Sequence, residues 1–164
     1  MNKIIFSLLF LISMSSFSQE TIKDVLKKYN TESVPYIYVD SLRKISSIVI
    51  LLDAREEKEF KVSHLKNALL VGYEKFNLKE VRKKLPNKEA KIVVYCTLGV
   101  RSEDIAEQLK KVGYTNIYNL FGGIVEWKNK GNKVFDGKEK ESKRVHVSSK
   151  FWSKWLLKGE KVYE

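Results

Sequence analysis

The chain alternates between continuous apolar runs and segments whose apolar residues recur every three or four positions. Ile48–Leu52, closed by Asp53, and "KIVVYC" at 91–96 have no polar interruption in their apolar runs, the pattern of strands buried on both faces of a parallel sheet. "NALLVG" at 67–72 and "TNIYNL" at 115–120 read as shorter strands, the second running into the pair Gly122 and Gly123. Between these lie helical patterns. "ETIKDVLKKYN" puts Ile22, Val25, Leu26 and Tyr29 on one face, with Thr21 placed to cap it. "EEKEFKVSHL" predicts a short helix, and "EKFNLKEVRKKL" an amphipathic one ended by Pro86. "SEDIAEQLKKVG" is the clearest, with Ile105, Ala106, Leu109 and Val112 on one face and Gly113 at the usual C-terminal position. "IVEWKNKGN" predicts a closing helix with Ile124, Val125 and Trp127 turned inward. After Pro35, Tyr36–Val39 reads as a short extended piece. Strand alternating with helix implies an α/β domain with a mainly parallel central sheet flanked by helices.

Both ends differ in texture. The start has Lys3, an apolar segment from Ile4 to Met14, and small residues at Ser16 and Ser18, which predicts a secretory signal peptide over 1–18 cleaved before Gln19. That segment is about half the roughly 20 residues needed to span a bilayer. A periplasmic or secreted protein is therefore expected. Residues 19–32 form an N-terminal helical segment. From 137 to 164 a basic and aromatic extension follows: "DGKEKESKRVHVSSK" reads as a charged loop, and "FWSKWLLKGEKVY" carries Phe151, Trp152, Trp155 and Leu156 at helical spacing. Such aromatics usually pack onto their own domain; contact with a protein partner or a membrane surface is the lesser reading.

The net charge is +11. The excess lies on lysine-rich helical surfaces and in the tail, without an Arg-rich cluster or an interleaved aromatic platform, so nucleic acid is not an expected partner. A solvated lysine-rich surface accounts for it, and attraction to anionic small molecules or to an anionic envelope surface is compatible with it.

Cys96 is the sole cysteine, so it has no partner for an internal disulfide. It is either an inert packing residue or a reactive one. In an open α/β sheet, ligands bind beyond the carboxyl ends of the strands, where Cys96 sits. Thr97, Leu98, Gly99 and Val100 must turn the chain from strand to helix before Arg101, and Gly99 takes backbone angles other residues avoid. Amide N–H groups in such a turn converge on an anion-binding concavity, reinforced by the following helix and by the Arg101 cation. The setting favours a reactive sulfur.

"CTLGVRS" resembles the active-site loop of rhodanese-type sulfurtransferases. "LLDAREEKEFKVSHLKNALLV" is similar to that family's Asp-x-Arg segment and the stretch after it, and "GYTNIYNLFGGIVEWKNKG" to its closing Gly-Gly-x-x-x-Trp segment. The resemblance covers residues 33–136 and departs from the family at Ser63, Leu65 and Asn67. It implies a rhodanese-like three-layer domain in which Cys96 takes a sulfane sulfur as a persulfide. The donor would be thiosulfate, polysulfide or another persulfide, and the acceptor a thiol or cyanide. Thr97, Leu98, Gly99, Val100 and Arg101 would form the substrate loop. Asp53, Arg55, Glu59, His64 and Ser102 would support it, Asp53 and Arg55 by tying loops together, and Trp127 would lie in the core. No metal or organic cofactor is implied, and His146 is a lone histidine in the tail. Phosphatase relatives of the fold carry one residue more between cysteine and arginine, so this loop suits a single sulfur atom better than a tetrahedral oxyanion. Arg101 is the evident cation near the loop, and Leu98 suggests a less polar donor, protein-borne or a polysulfide, with thiosulfate a poor substrate. The competing function is a non-enzymatic module that binds a partner or senses oxidants through Cys96.

Overall fold

The computed structural model describes residues 20–163. The segment read as a signal peptide lies outside the described residues. Five parallel strands form the central sheet: β1 (Tyr36–Ile37), β2 (Ile50–Asp53), β3 (Leu69–Leu70), β4 (Ile92–Tyr95) and β5 (Ile117–Leu120), in the order β1-β5-β4-β2-β3. The two strands with unbroken apolar runs, β2 and β4, are neighbours near the centre, where both faces are covered.

Side chains of β4 alternate between the two faces, as a pleated strand requires. Val93 and Tyr95 enter one core with Val25, Leu42, Ile124 and Val125, which come from α1 (Ile22–Tyr29), α2 (Val39–Ile45) and α6 (Gly123–Asn129). Ile92, Val94 and Cys96 enter the other with Val81, Ile105, Ala106 and Leu109, from α4 (Leu78–Lys84) and α5 (Arg101–Lys111). The result is three layers, with α3 (Glu57–Val62) beside the carboxyl end of β2.

Local signals explain several boundaries. Thr21 and Asp24 form a reciprocal capping box on α1. Asn77 accepts from the Glu80 amide at 3.2 Å and starts α4 later than its apolar pattern suggested. The extended piece after Pro35 ends at Ile37, because Val39 turns into the core as the first residue of α2. Asn67, where the family has glycine, adopts a left-handed φ of 60°, which asparagine tolerates best among side-chain-bearing residues.

The tail differs most from expectation. The charged stretch carries two short strands: β7 (Glu141–Ser142), paired antiparallel with β6 (Val134–Phe135), and β8 (Arg144–His146), paired parallel with β9 (Glu160–Val162). Phe151–Trp155 is a single 3-10 turn in place of a longer helix. Val145, Val147, Trp155 and Leu156 are buried in the same core as β4. Trp155 Nε1 donates to the Glu20 carbonyl at 3.1 Å and joins this tail to the N-terminal segment. Trp127 is only half-buried; it packs on the rim of the core, and its Nε1 donates to the Lys133 carbonyl at 2.9 Å.

Candidate active site

Cys96 follows β4 directly and lies at the floor of a cleft of about 310 Å³, 2% exposed. The loop curls so that the Gly99 amide donates to Cys96 Sγ at 3.1 Å. This geometry needs glycine at 99 for two reasons. Its φ is +116°, and an added Cβ would stand 3.2 Å from Leu26 Cδ2 and 3.3 Å from the Leu120 carbonyl. The Gly99 carbonyl is held from outside, accepting from Asn119 Nδ2 at 2.8 Å and from Asn30 Nδ2 at 2.9 Å.

Asn119 is the buried polar residue that the sequence reading passed over. Its Nδ2 holds the loop, and its Oδ1 accepts from Ser102 Oγ at 2.8 Å, which places that hydroxyl 3.5 Å from Cys96 Sγ. An asparagine inside a buried strand was the signal available, since a fully buried amide must find partners. Gly123 completes the support from below. The amides of Ile124 and Val125 donate to the carbonyls of Cys96 and Thr97 at 3.0 and 3.2 Å, and a Cβ on Gly123 would fall 2.3 Å from the Cys96 carbonyl oxygen.

Arg101 opens α5, but its guanidinium is engaged within the protein. Nη1 and Nη2 donate to the two oxygens of Glu59 at 2.7 and 2.8 Å, and Nη2 also donates to Thr97 Oγ1 at 3.0 Å. Burial pushes the Glu59 carboxyl up, yet the Arg101 fork and the charge of Arg55 more than offset it and hold the group at about 2. The pair is a neutral unit that ties α3 to the loop after β4. Behind it sits His146 of β8, buried, with Nδ1 3.9 Å from Glu59 Oε1 and accepting from the Ser148 amide at 3.1 Å. The sequence placed this histidine alone in a loop; the fold brings it against the site.

Asp53 and Arg55 are fully buried and face each other. Arg55 Nε and Nη2 donate to the two Asp53 oxygens at 2.9 and 2.7 Å, and Nη2 also donates to the Ser63 carbonyl at 2.6 Å. The guanidinium lies over the Tyr95 ring, 5.7 Å from its centroid. Neither residue lines the cleft. His64 is also removed from it: its ring stacks on Phe60, with Nδ1 3.0 Å from the Phe60 carbonyl and Nε2 3.1 Å from Glu139 Oε1. Leu98, expected at the entrance, turns into the core and shows the cleft only an edge. Val100 is half-buried and lines it. The remaining wall consists of Glu56, Tyr73 and Glu74 from the α3 side, and Ser148 and Trp152 from the tail. Among the described residues, no three His, Cys, Asp or Glu side chains are grouped as a metal site.

The arrangement places a cysteine sulfur beside an amide donor in a cleft, at the carboxyl end of a strand of a five-stranded parallel sheet. The family model of the rhodanese-like domain matches residues 35–130, and the chain belongs to that family. A protein named tRNA uridine(34) hydroxylase from Aster yellows witches'-broom phytoplasma is 33% identical over 117 residues, covering 68% of this chain and 37% of its own length. The chain thus spans little more than a third of that relative. A rhodanese-related protein from Thermoplasma volcanium is 27% identical with a TM-score of 0.50, covering 61% of this chain and 96% of that one. The thiosulfate sulfurtransferase of Pseudomonas aeruginosa shares the fold, with a TM-score of 0.60 at 17% identity over 82% of this chain and 25% of that one.

Proposed function

We propose that the protein is a sulfurtransferase that carries a sulfane sulfur on Cys96. The observation that supports this reading most is the position of Cys96 Sγ, 3.1 Å from the Gly99 amide on the floor of an open cleft. In the first step the Cys96 thiolate attacks the outer sulfur of the donor. A bond forms to Cys96 as the donor's S–S bond breaks, and the electron pair leaves with sulfite from thiosulfate, or with a thiolate from an organic persulfide. In the second step an acceptor, a thiol or cyanide, takes the outer sulfur, and the bonding pair returns to Cys96. The Gly99 amide is placed to hold the anionic sulfur in both steps, as an oxyanion hole holds developing charge. Asn119 and Asn30 keep that amide aimed, and the Glu59–Arg101 pair fixes Thr97.

Intact-mass measurement of the reduced protein after exposure to thiosulfate, polysulfide or an organic persulfide tests the reading. A gain of one sulfur that cyanide removes, and that Cys96→Ser abolishes, supports it. A thiol that alkylates rapidly yet takes up no sulfur from any donor replaces it with the redox or binding function. The relatives named tRNA uridine(34) hydroxylase act, by that name, on tRNA, and they are much longer than this chain. No step of the sulfurtransferase reading uses tRNA, and retention of sulfur on Cys96 without any tRNA present is the matching expectation.

The apolar segment ahead of Ser16 and Ser18 supports an exported location. Sequencing the N-terminus of protein from fractionated cells decides: a chain beginning at Gln19 in the envelope fraction agrees, and one beginning at Met1 in the cytosol does not.

A further inference from the structure

The cleft around Cys96 is poorly suited to a dianion. Among the described residues its one lining cation is Arg101, which is paired to both oxygens of Glu59, while Glu56 and Glu74 stand on the lining with no described lysine among them. Glu56 Oε1 accepts from the Glu74 amide at 3.1 Å, so the two acidic residues are held together on one wall. Beside them, Tyr73 donates its hydroxyl to Asp104 Oδ2 at 2.7 Å, which sets a further carboxylate next to this wall. A chain with net charge +11 therefore presents an acidic rim at the one place where its sulfur chemistry would occur.

Another part of the lining comes from the tail. Trp152 lines the cleft, braced by Trp155 at a ring separation of 5.4 Å and by the edge of Tyr29 at 6.0 Å. Ser148, the other tail residue there, has a φ of 66° and donates its amide to His146, which is buried behind Glu59. Both lie beyond residue 130, where the family match ends. The cleft volume of about 310 Å³ is in the range of small organic ligands and leaves most of its space for something other than two sulfur and three oxygen atoms.

Resting on the sulfurtransferase reading, we propose that the cleft selects an organic persulfide, a sulfane sulfur carried on an uncharged or cationic thiol, over thiosulfate. Trp152 is the face on which the carrier lies, and Glu56 and Glu74 reject the dianion. Cys96 attacks the outer sulfur of R–S–SH, a bond forms between the two sulfurs as the donor's S–S bond breaks, and RS⁻ leaves with the electron pair along the tryptophan face and takes a proton from water.

The test is the rate at which the reduced full chain gains sulfur on Cys96, followed by intact mass. The donors are thiosulfate, the persulfide of N-acetylcysteine methyl ester, and a persulfidated cysteine peptide of neutral sequence. Either organic donor outrunning thiosulfate supports the proposal, and the faster of the two tells a small carrier from a protein-borne one. Trp152→Ala should lower the organic-to-thiosulfate rate ratio by about threefold or more, with Trp152→Phe restoring it. Glu74→Gln, on an exposed residue, should raise loading by thiosulfate by about threefold or more, and decides the matter if Trp152→Ala does not fold. Thiosulfate as the faster donor, or a ratio unmoved by the folded variants, overturns this inference while leaving the sulfurtransferase reading intact. No sulfur on Cys96 from any donor overturns both.

Discussion

At the scale of single residues, the site depends on positions that carry no reactive group. Gly99 is one: its φ of +116° is rarely adopted by a residue with a side chain, and a Cβ there would crowd Leu26 Cδ2 and the Leu120 carbonyl at 3.2 and 3.3 Å. Gly99→Ala should cost about 1–3 kcal/mol of stability and slow sulfur loading, because relief of the clash moves the amide off Cys96 Sγ. Denaturant unfolding beside the mass assay checks both, and an unchanged loading rate would show that the amide contact is dispensable. Arg101→Lys is the second case. Lysine keeps the charge but cannot fork onto both oxygens of Glu59 and reach Thr97 as well, so loading should fall by about tenfold. Cys96, Gly99 and Arg101 were legible because the chemistry demands a residue type at a fixed local spacing. Asn119 was not, because its partners Gly99 and Ser102 come from a different strand-to-helix turn and meet it only when β5 pairs with β4.

At the scale of elements, α3 and α5 are joined through a buried charge pair, Glu59 with Arg101, whose side chains are 3% and 21% exposed. Glu59 titrates at about 2 in the fold against an ordinary 4.5, so the folded form binds its proton less readily than the unfolded one. The stabilisation is therefore complete above pH about 4.5 and is lost as pH falls toward about 2, with a size on the order of 3 kcal/mol. Urea unfolding across that window should show the wild type losing stability steeply. Glu59→Gln should begin less stable at neutral pH, because Arg101 is left buried without its anion, and then lose less over the same window. Equal slopes would remove Glu59 as the source. The elements themselves were readable where burial imposes a pattern: unbroken apolar runs for β2 and β4, and helical spacing for α1 and α5. The strand expected through Val39 ended two residues early, since an isolated apolar residue fits either element until its neighbours in space are known. The tail strands have two or three residues each, too few to display a period, and β8 finds its partner only at β9.

At the scale of the whole molecule, the residues after 136 are part of what holds the sheet together. Composition marked them as a charged extension, since lysine and glutamate outnumber the few apolar residues that matter. Yet Val145, Val147, Trp155 and Leu156 are buried against the same core as Val93 and Tyr95, and Trp155 also clasps the segment before α1. Burying a side chain of this kind is worth about 1.5–3 kcal/mol, so four of them contribute roughly 6 kcal/mol or more, against a typical domain stability of about 5–15 kcal/mol. Truncation after Asp136 removes that contribution and also opens the cluster to which Leu42 and Ile124 belong. The truncated chain should therefore lose its cooperative thermal transition and expose apolar surface, followed by circular dichroism and by binding of an environment-sensitive dye. A truncated chain that melts cooperatively near the full-length temperature would instead make the tail a covering on a self-sufficient domain. In that outcome its contributions to the site would be the wall formed by Ser148 and Trp152 and the placing of His146 against Glu59.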